Sequence, residues 1–247
     1  PGQGETVGAQ LTGDDRVRGV MFTGSTEVAT LLQRNIASRL DAQGRPIPLI
    51  AETGGMNAMI VDSSALTEQV VIDVLASAFD SAGQRCSALR VLCLQDEIAD
   101  HTLKMLRGAM AECRMGNPGR LTTDIGPVID SEAKANIERH IQTMRSKGRP
   151  VFQAVRENSE DAREWQSGTF VAPTLIELDD FAELQKEVFG PVLHVVRYNR
   201  NQLPELIEQI NASGYGLTLG VHTRIDETIA QVTGSAHVGN LYVNRNM

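Results

Sequence analysis

The sequence predicts an α/β protein built on parallel sheets covered on both faces. Three observations carry that expectation. Apolar strand-like runs alternate with helical apolar stripes over nearly all of the 247 residues. The runs A-M-I-V-D (58–62) and L-R-V-L-C-L (89–94) are almost continuously apolar, as strands with two buried faces are. Glycine turns and helix-capping residues punctuate the change from one pattern to the other, with no internal repeat and no low-complexity tract.

The elements follow in order. V-R-G-V-M-F (17–22) reads as a short strand running into Thr23-Gly24-Ser25, and a helix follows through Leu40. Ser25 or Thr26 is its N-cap, and Val28, Leu31, Leu32, Ile36 and Leu40 form its apolar stripe. D-A-Q-G-R-P-I-P (41–48) is a loop, P-L-I-A-E (48–52) a second buried strand and A-M-I-V-D a third. Leu66, Val70, Val71, Val74, Leu75, Ala78 and Phe79 mark a helix over 66–80, which Gly83 stops as a C-cap. Cys93 falls inside the strand after it, and Ile98, Met105, Leu106, Ala109 and Cys113 share one face of a helix over 97–114. Both of these cysteines therefore read as packing residues. A helix over 131–147 ends at Gly148, and strands follow near 151–155, 169–176 and 192–198. A helix opened by Pro204, the strand L-T-L-G-V-H-T, a helix over 226–233 and the strand N-L-Y-V-N complete the chain. With no strand before the first glycine turn and a last strand at the very end, the chain reads as an internal fragment of a longer one.

Composition narrows the function. A net charge of −8 without a basic stripe disfavours nucleic acid as a partner of this segment. No run reaches the length of a membrane span, and P-G-Q-G-E-T-V-G-A-Q lacks the layout of a signal peptide. Three cysteines without C-x-x-C pairs and five scattered histidines suggest neither a disulfide framework nor a metal site, and they fit a reducing, cytoplasmic compartment.

Five stretches could carry chemistry. G-Q-G-E-T-V-G (2–8) approaches a dinucleotide-binding fingerprint but separates Gly4 from Gly8 by three residues where the fingerprint leaves two, so a plain turn reads as well. F-T-G-S (22–25) is a strand-to-helix turn whose helix N-terminus could face an anion. A-E-T-G-G (51–55) puts Glu52 at a strand end before two glycines, where an isolated glutamate reads more often as a capped or salt-bridged structural group. S-A-G-Q-R-C-S-A-L (81–89) sets Cys86 among small residues on a turn, open to a substrate carbonyl. A thiol of ordinary pKa, about 8.5, needs help to ionise at neutral pH; Arg85 or a backbone dipole could supply it, or Arg85 could face solvent. E-V-F-G-P (187–191) adds Glu187 before an aromatic and a Gly-Pro turn.

In sequence order, F-T-G-S, E-T-G-G, G-Q-R-C and E-V-F-G-P together resemble the aldehyde dehydrogenase superfamily over essentially the whole chain, and the 34 positions between Glu52 and Cys86 fit its glutamate-to-cysteine separation. Thr53 after the glutamate, and Ser87-Ala88 after the cysteine, resemble the Δ1-pyrroline-5-carboxylate (glutamate semialdehyde) dehydrogenases, in the form carried by bifunctional bacterial enzymes of proline catabolism. The resemblance implies the C-terminal part of a Rossmann-type NAD-binding domain over 1–52 and most of an α/β catalytic domain over 53–247, truncated at its C-terminal end. It implies Cys86 as nucleophile and Glu52 as the base that activates water. Phe22, Thr23, Gly24, Ser25, Gly4, Thr6, Val7, Glu187 and Phe189 are implied as NAD contacts, and Ser87 and Arg85 as substrate contacts. Ser87 reads equally as a serine satisfied within its own turn. The small-molecule partner is an aldehyde, no metal is implied, and FAD belongs only to a proline dehydrogenase domain outside this chain. The parent is expected to be a homo-oligomer. The family's oxyanion-hole asparagine and substrate-anchoring glycine-rich loop fall outside the chain, so the chain alone is expected to be inactive. Two rivals stay open, a CoA-dependent acylating relative, against which Glu52 counts, and a non-catalytic piece that binds NAD weakly.

Overall fold

The computed structural model describes residues 2–155 and 168–247, which fall into two compact units, Pro1–Gly54 and Gly55–Met247. In the first unit a π-helical turn at Gly4–Gly8 leads into α1 (Ala9–Gly13). Strand β1 (Val20–Thr23) pairs in parallel with β2 (Leu49–Glu52), Val20 opposite Leu49 and Thr23 opposite Glu52. Between them lies α2 (Thr26–Ile36), and its N-cap is Ser25, whose Oγ accepts the N–H of Val28 at 3.2 Å.

Two expectations fail here. The helix stops at Ile36 rather than Leu40, because Leu40 leaves it to form an antiparallel bridge with Pro46. The stripe and the second strand are also less buried than the sequence suggests. Ala29 and Ile36 are buried, while Val28, Leu31, Leu40 and Ile50 are exposed. Two strands offer too narrow a face to cover a helical stripe.

The second unit holds a seven-stranded sheet in the order β5-β6-β7-β4-β3-β8-β9. The strands are β3 (Ala58–Val61), β4 (Val91–Gln95), β5 (Val151–Gln153), β6 (Thr174–Leu178), β7 (Val192–Tyr198), β8 (Thr218–His222) and β9 (Asn240–Val243). All neighbours run parallel except β5, which is antiparallel to β6. The sequence pattern implied a parallel sheet throughout. An edge strand pairs with one neighbour only, so no second partner fixes its direction. Every residue of β3, β4 and β8 is buried. Consecutive buried residues point to opposite faces, so both faces of the central strands are covered.

Helices α3 (Thr67–Phe79), α4 (Asp96–Glu112), α5 (Ser131–Ser146), α6 (Leu203–Ala212) and α7 (Asp226–Ser235) connect the strands. The buried face of α4 is Ala99, Thr102, Leu103, Leu106 and Met110, so the expected stripe is rotated; Ile98, Met105, Ala109 and Cys113 line its edge, partly buried against the core. Cys93 is fully buried in β4, and burial pushes its thiol up to about 12. Among the described residues no helix is long and apolar enough to cross a membrane.

Ile60 sits in β3 with Cys93 of β4 on one side and Val221 of β8 on the other, and has no solvent exposure. Ile60→Ala is expected to cost about 2–5 kcal/mol, read as a lowered urea midpoint with an unchanged slope.

Candidate active site

In the first unit the F-T-G-S turn lies at the carboxyl end of β1. The N–H of Gly24 donates to the carbonyl of Glu52 at 3.1 Å, tying the turn to the end of β2. Any side chain at position 24 would collide with the Phe22 ring, 2.4 Å from where its Cβ would stand. Thr23, Gly24 and Ser25 are exposed, as is Glu52, so the parallel strand ends and the start of α2 face solvent. Gly4, Thr6 and Val7 are exposed on the π-helical turn, where the Thr6 hydroxyl donates to the Gln3 carbonyl at 3.2 Å.

In the second unit Cys86 occupies the tip of a β-turn, closed by the N–H of Ala88 donating to the carbonyl of Arg85 at 3.0 Å. Its thiol is exposed. The turn is held from beneath by Asn57, whose amide Nδ2 donates to the carbonyls of Cys86 (2.7 Å) and Ala88 (2.9 Å). The Asn57 Oδ1 in turn accepts the N–H of Thr218 at 3.2 Å. Among the described residues the N–H of Cys86 donates to no protein acceptor. Arg85 is half-buried and held on the end of α3 rather than facing freely into solvent. Its Nη2 donates to the carbonyls of Ala76 (3.0 Å) and Ser77 (3.3 Å), closing the last turn of α3. The half-buried Ser87 accepts the hydroxyl of Thr218 on its carbonyl at 3.4 Å.

The chain enters this turn through an unusual path. Helix α3 ends at Phe79, not at Gly83, and Ser81, Ala82 and Gly83 follow with φ of 56°, 54° and 67°. Gly83 is required there twice over. Its φ suits glycine, and a Cβ would stand 2.1 Å from the carbonyl oxygen of Gly190.

Arg90 is the centre of the arrangement, and nothing in the motifs singled it out. Its side chain is 1% exposed, and all five guanidinium N–H groups have acceptors. Nη1 donates to the carbonyls of Gly83 (2.7 Å) and Gly190 (3.3 Å), Nη2 to that of Arg85 (3.0 Å), and Nε and Nη2 both to Glu187 Oε1 (3.1 and 2.9 Å). Burial pulls the Arg90 pKa down and the Glu187 carboxylate opposes it. Phe189 lays its ring 5.2 Å from the Arg90 guanidinium carbon. Cys86, Glu187 and Phe189, brought together through Arg90 from distant sequence positions, belong to segments that lead into β4 and β7; the site therefore lies at the amino edge of the sheet.

Beneath Arg90 lies a pair of histidines that the sequence left scattered. His194 of β7 is fully buried, its Nε2 2.9 Å from the Nε2 of His140 on α5. Burial, then the neighbouring His140, pulls His194 down to about 3. The signals that could have found Asn57 and Arg90 are the same in kind: a polar residue set into an apolar run that is buried needs a complete set of partners.

Two expectations follow for stability. Ser81→Gly relieves a left-handed serine and is expected to raise the unfolding free energy by about 1 kcal/mol, read as a higher urea midpoint, while Gly83→Ala lowers it by more than that, since its Cβ has no room. For His194 the folded value lies below the unfolded one of about 6.5, so between them the unfolded chain binds more protons. Its contribution is present above about pH 6.5 and is lost as pH falls toward about 3, by up to about 1.4 kcal/mol per pH unit. Urea midpoints taken down that range are expected to fall less steeply in His194→Gln than in the parent.

The geometry can now be set against known proteins. The model of the aldehyde dehydrogenase family matches residues 1–247. The chain is 99% identical to the bifunctional protein PutA of Escherichia coli (strain K12) over its whole length, spanning 19% of that relative. A crystal structure of Bradyrhizobium japonicum proline utilization A, mutant D778Y, superposes with a TM-score of 0.90 at 47% identity, covering 100% of this chain and 24% of that one. A structure of 1-pyrroline-5-carboxylate dehydrogenase from Thermus with bound NAD gives 0.86 at 33% identity, covering 100% and 46%. From its first residue to its last, this chain belongs to the aldehyde dehydrogenase family.

Proposed function

We propose that Cys86 is the nucleophile of an NAD-dependent dehydrogenase that oxidises L-glutamate 5-semialdehyde, the open form of Δ1-pyrroline-5-carboxylate, to L-glutamate. The observation that carries the reading is the Cys86 turn. Its carbonyls are clamped by Asn57 while the thiol is exposed and the adjacent N–H is uncommitted. The similarity to PutA and to 1-pyrroline-5-carboxylate dehydrogenase supports the choice of aldehyde.

The residues present fit the cofactor. The exposed helix start after the Thr23-Gly24-Ser25 turn offers the N–H groups of Ser25, Thr26 and Glu27 to a pyrophosphate, and Glu187, with Arg90 engaging Oε1 alone, keeps Oε2 for ribose hydroxyls. Phe22, Gly4, Thr6, Val7 and Phe189 complete the proposed NAD contacts. When bound, NAD+ supplies the acceptor for the hydride that converts the cysteine-bound thiohemiacetal to a thioester.

The chain's own residues do the rest. The Cys86 thiolate attacks the aldehyde carbon, a C–S bond forms, and the carbonyl electrons move onto oxygen, where the Cys86 N–H stabilises them. After oxidation, Glu52 takes a proton from water as that water attacks the thioester; the C–S bond breaks and the thiolate returns. Ser87 is the proposed contact for the substrate's carboxylate, and Arg85 supports it by fixing the end of α3. Nothing in this scheme requires a metal, and among the described residues no group of three or more metal-ligating side chains is arranged to hold one. The reading includes a soluble, cytoplasmic setting and a homo-oligomeric parent, and the chain by itself is proposed not to turn over.

The test begins with limiting iodoacetamide on the native chain, each cysteine being quantified by mass spectrometry. Cys86 is expected to react well ahead of Cys93, Cys113 and a model thiol at the same pH. In the full-length protein assayed with NAD+ and glutamate semialdehyde, Cys86→Ser abolishes turnover and Glu52→Gln lowers kcat by about 10²–10⁴-fold while the acyl-enzyme accumulates. Reduction of Cys86 labelling to the rate of a model thiol, together with full activity of Cys86→Ser, would sink the proposal.

A further inference from the structure

The His140–His194 pair takes no part in the chemistry above, yet its proton positions follow from its contacts. The two Nε2 atoms are 2.9 Å apart and the rings meet edge-on at 79°, so one hydrogen lies between them. The Nδ1 of His194 lies 3.2 Å from the carbonyl oxygen of Arg90, which can only accept. Nδ1 therefore carries a hydrogen, the Nε2 of neutral His194 accepts, and the Nε2–H of His140 donates to it. The depressed pKa of His194 is consistent with that neutral state.

The result is a directed chain from α5 through His140 and His194 to the Arg90 carbonyl. That carbonyl also receives the backbone N–H of His194 at 2.9 Å, and the Arg90 N–H donates to the carbonyl of Asn57 at 2.9 Å. The peptide groups on both sides of the Arg90 Cα are thereby fixed, and so is the direction in which its guanidinium leaves the sheet.

We propose that His194, oriented by His140, is a positioning residue of the catalytic site, acting through the Arg90 carbonyl to set the guanidinium that joins the Cys86 turn to Glu187. The proposal rests on reading Cys86 as nucleophile and Glu187 as a cofactor contact. An asparagine at 194 can place an amide N–H where Nδ1 stands, and so keeps the donor to Arg90. A glutamine reaches the Nε2 position instead, keeping the contact with His140 while leaving the Arg90 carbonyl short of a donor.

In the full-length protein His194→Gln is expected to raise KM for NAD+ by about tenfold with a smaller change in kcat, and to slow Cys86 alkylation by about threefold; His194→Asn restores both toward the parent. His140→Phe, which keeps a ring but removes the donor to His194, is expected to give an intermediate effect. Urea midpoints of the variants are measured alongside. If Asn and Gln shift KM and alkylation equally, or only in step with their midpoints, His194 is a packing residue and the proposal is overturned. If the parent shows no NAD-dependent turnover while the Asn–Gln difference persists in Cys86 alkylation, the dehydrogenase reading fails and the positioning role stands.

Discussion

Burying a guanidinium among three carbonyls and a carboxylate commits every segment that supplies an acceptor, and in this chain those are at Gly83, Arg85, Gly190 and Glu187. A cation left with an unmet donor in such a place would cost several kcal/mol, so the four positions are fixed together or not at all. The part of the proposed site that surrounds Arg90 descends from that constraint. The cysteine turn borders on Arg85, the left-handed entry ends on Gly83, and the carboxylate and aromatic of the 187–189 segment both rest on the same side chain. Arg90 has too many partners to be exchanged for lysine, which offers a point charge where a planar fork is in use.

The local devices were legible to different degrees. Alternating strand and helix patterns located β7, α5 and α6 closely, because each is bounded by strong signals: the Gly190-Pro191 turn, Gly148 and Pro204. Burial in the first unit was misjudged because hydrophobic periodicity states which side of a helix wants cover, not how much sheet is there to cover it. The end of α3 was misplaced for a different reason. A glycine signals a left-handed residue, and here Ser81 and Ala82 adopt the same conformation first, which no propensity would assign to them. The motifs named the proposed site residues but not what holds them, since Asn57, Arg90 and His194 act through contacts spanning up to 161 positions.

The site's location on the sheet is also informative. In open parallel sheets, ligands ordinarily gather beyond the carboxyl ends of the strands, where loops leave into helices. Here Asn57, Cys86, Glu187 and Thr218 all stand at or before the start of a strand. A loop arriving from a helix is not aimed by the strand it has yet to enter, so it needs other means of fixation. The buried amide of Asn57 and the buried cation of Arg90 supply them, and the run of left-handed residues turns the chain sharply enough to present a thiol at the turn's tip.

The span of these contacts bears on how the protein is made. Arg90 reaches 97 and 100 residues ahead for two of its partners, and Gly83 packs directly on the second of them. During synthesis the cysteine leaves the ribosome well before those partners exist. At some 5–20 residues per second that interval is on the order of ten seconds. Through it the turn lacks two of the partners that Arg90 joins to it, and these are in place only when β7 docks. The proposed site is thus assembled late, because topology places its partners far downstream of the cysteine.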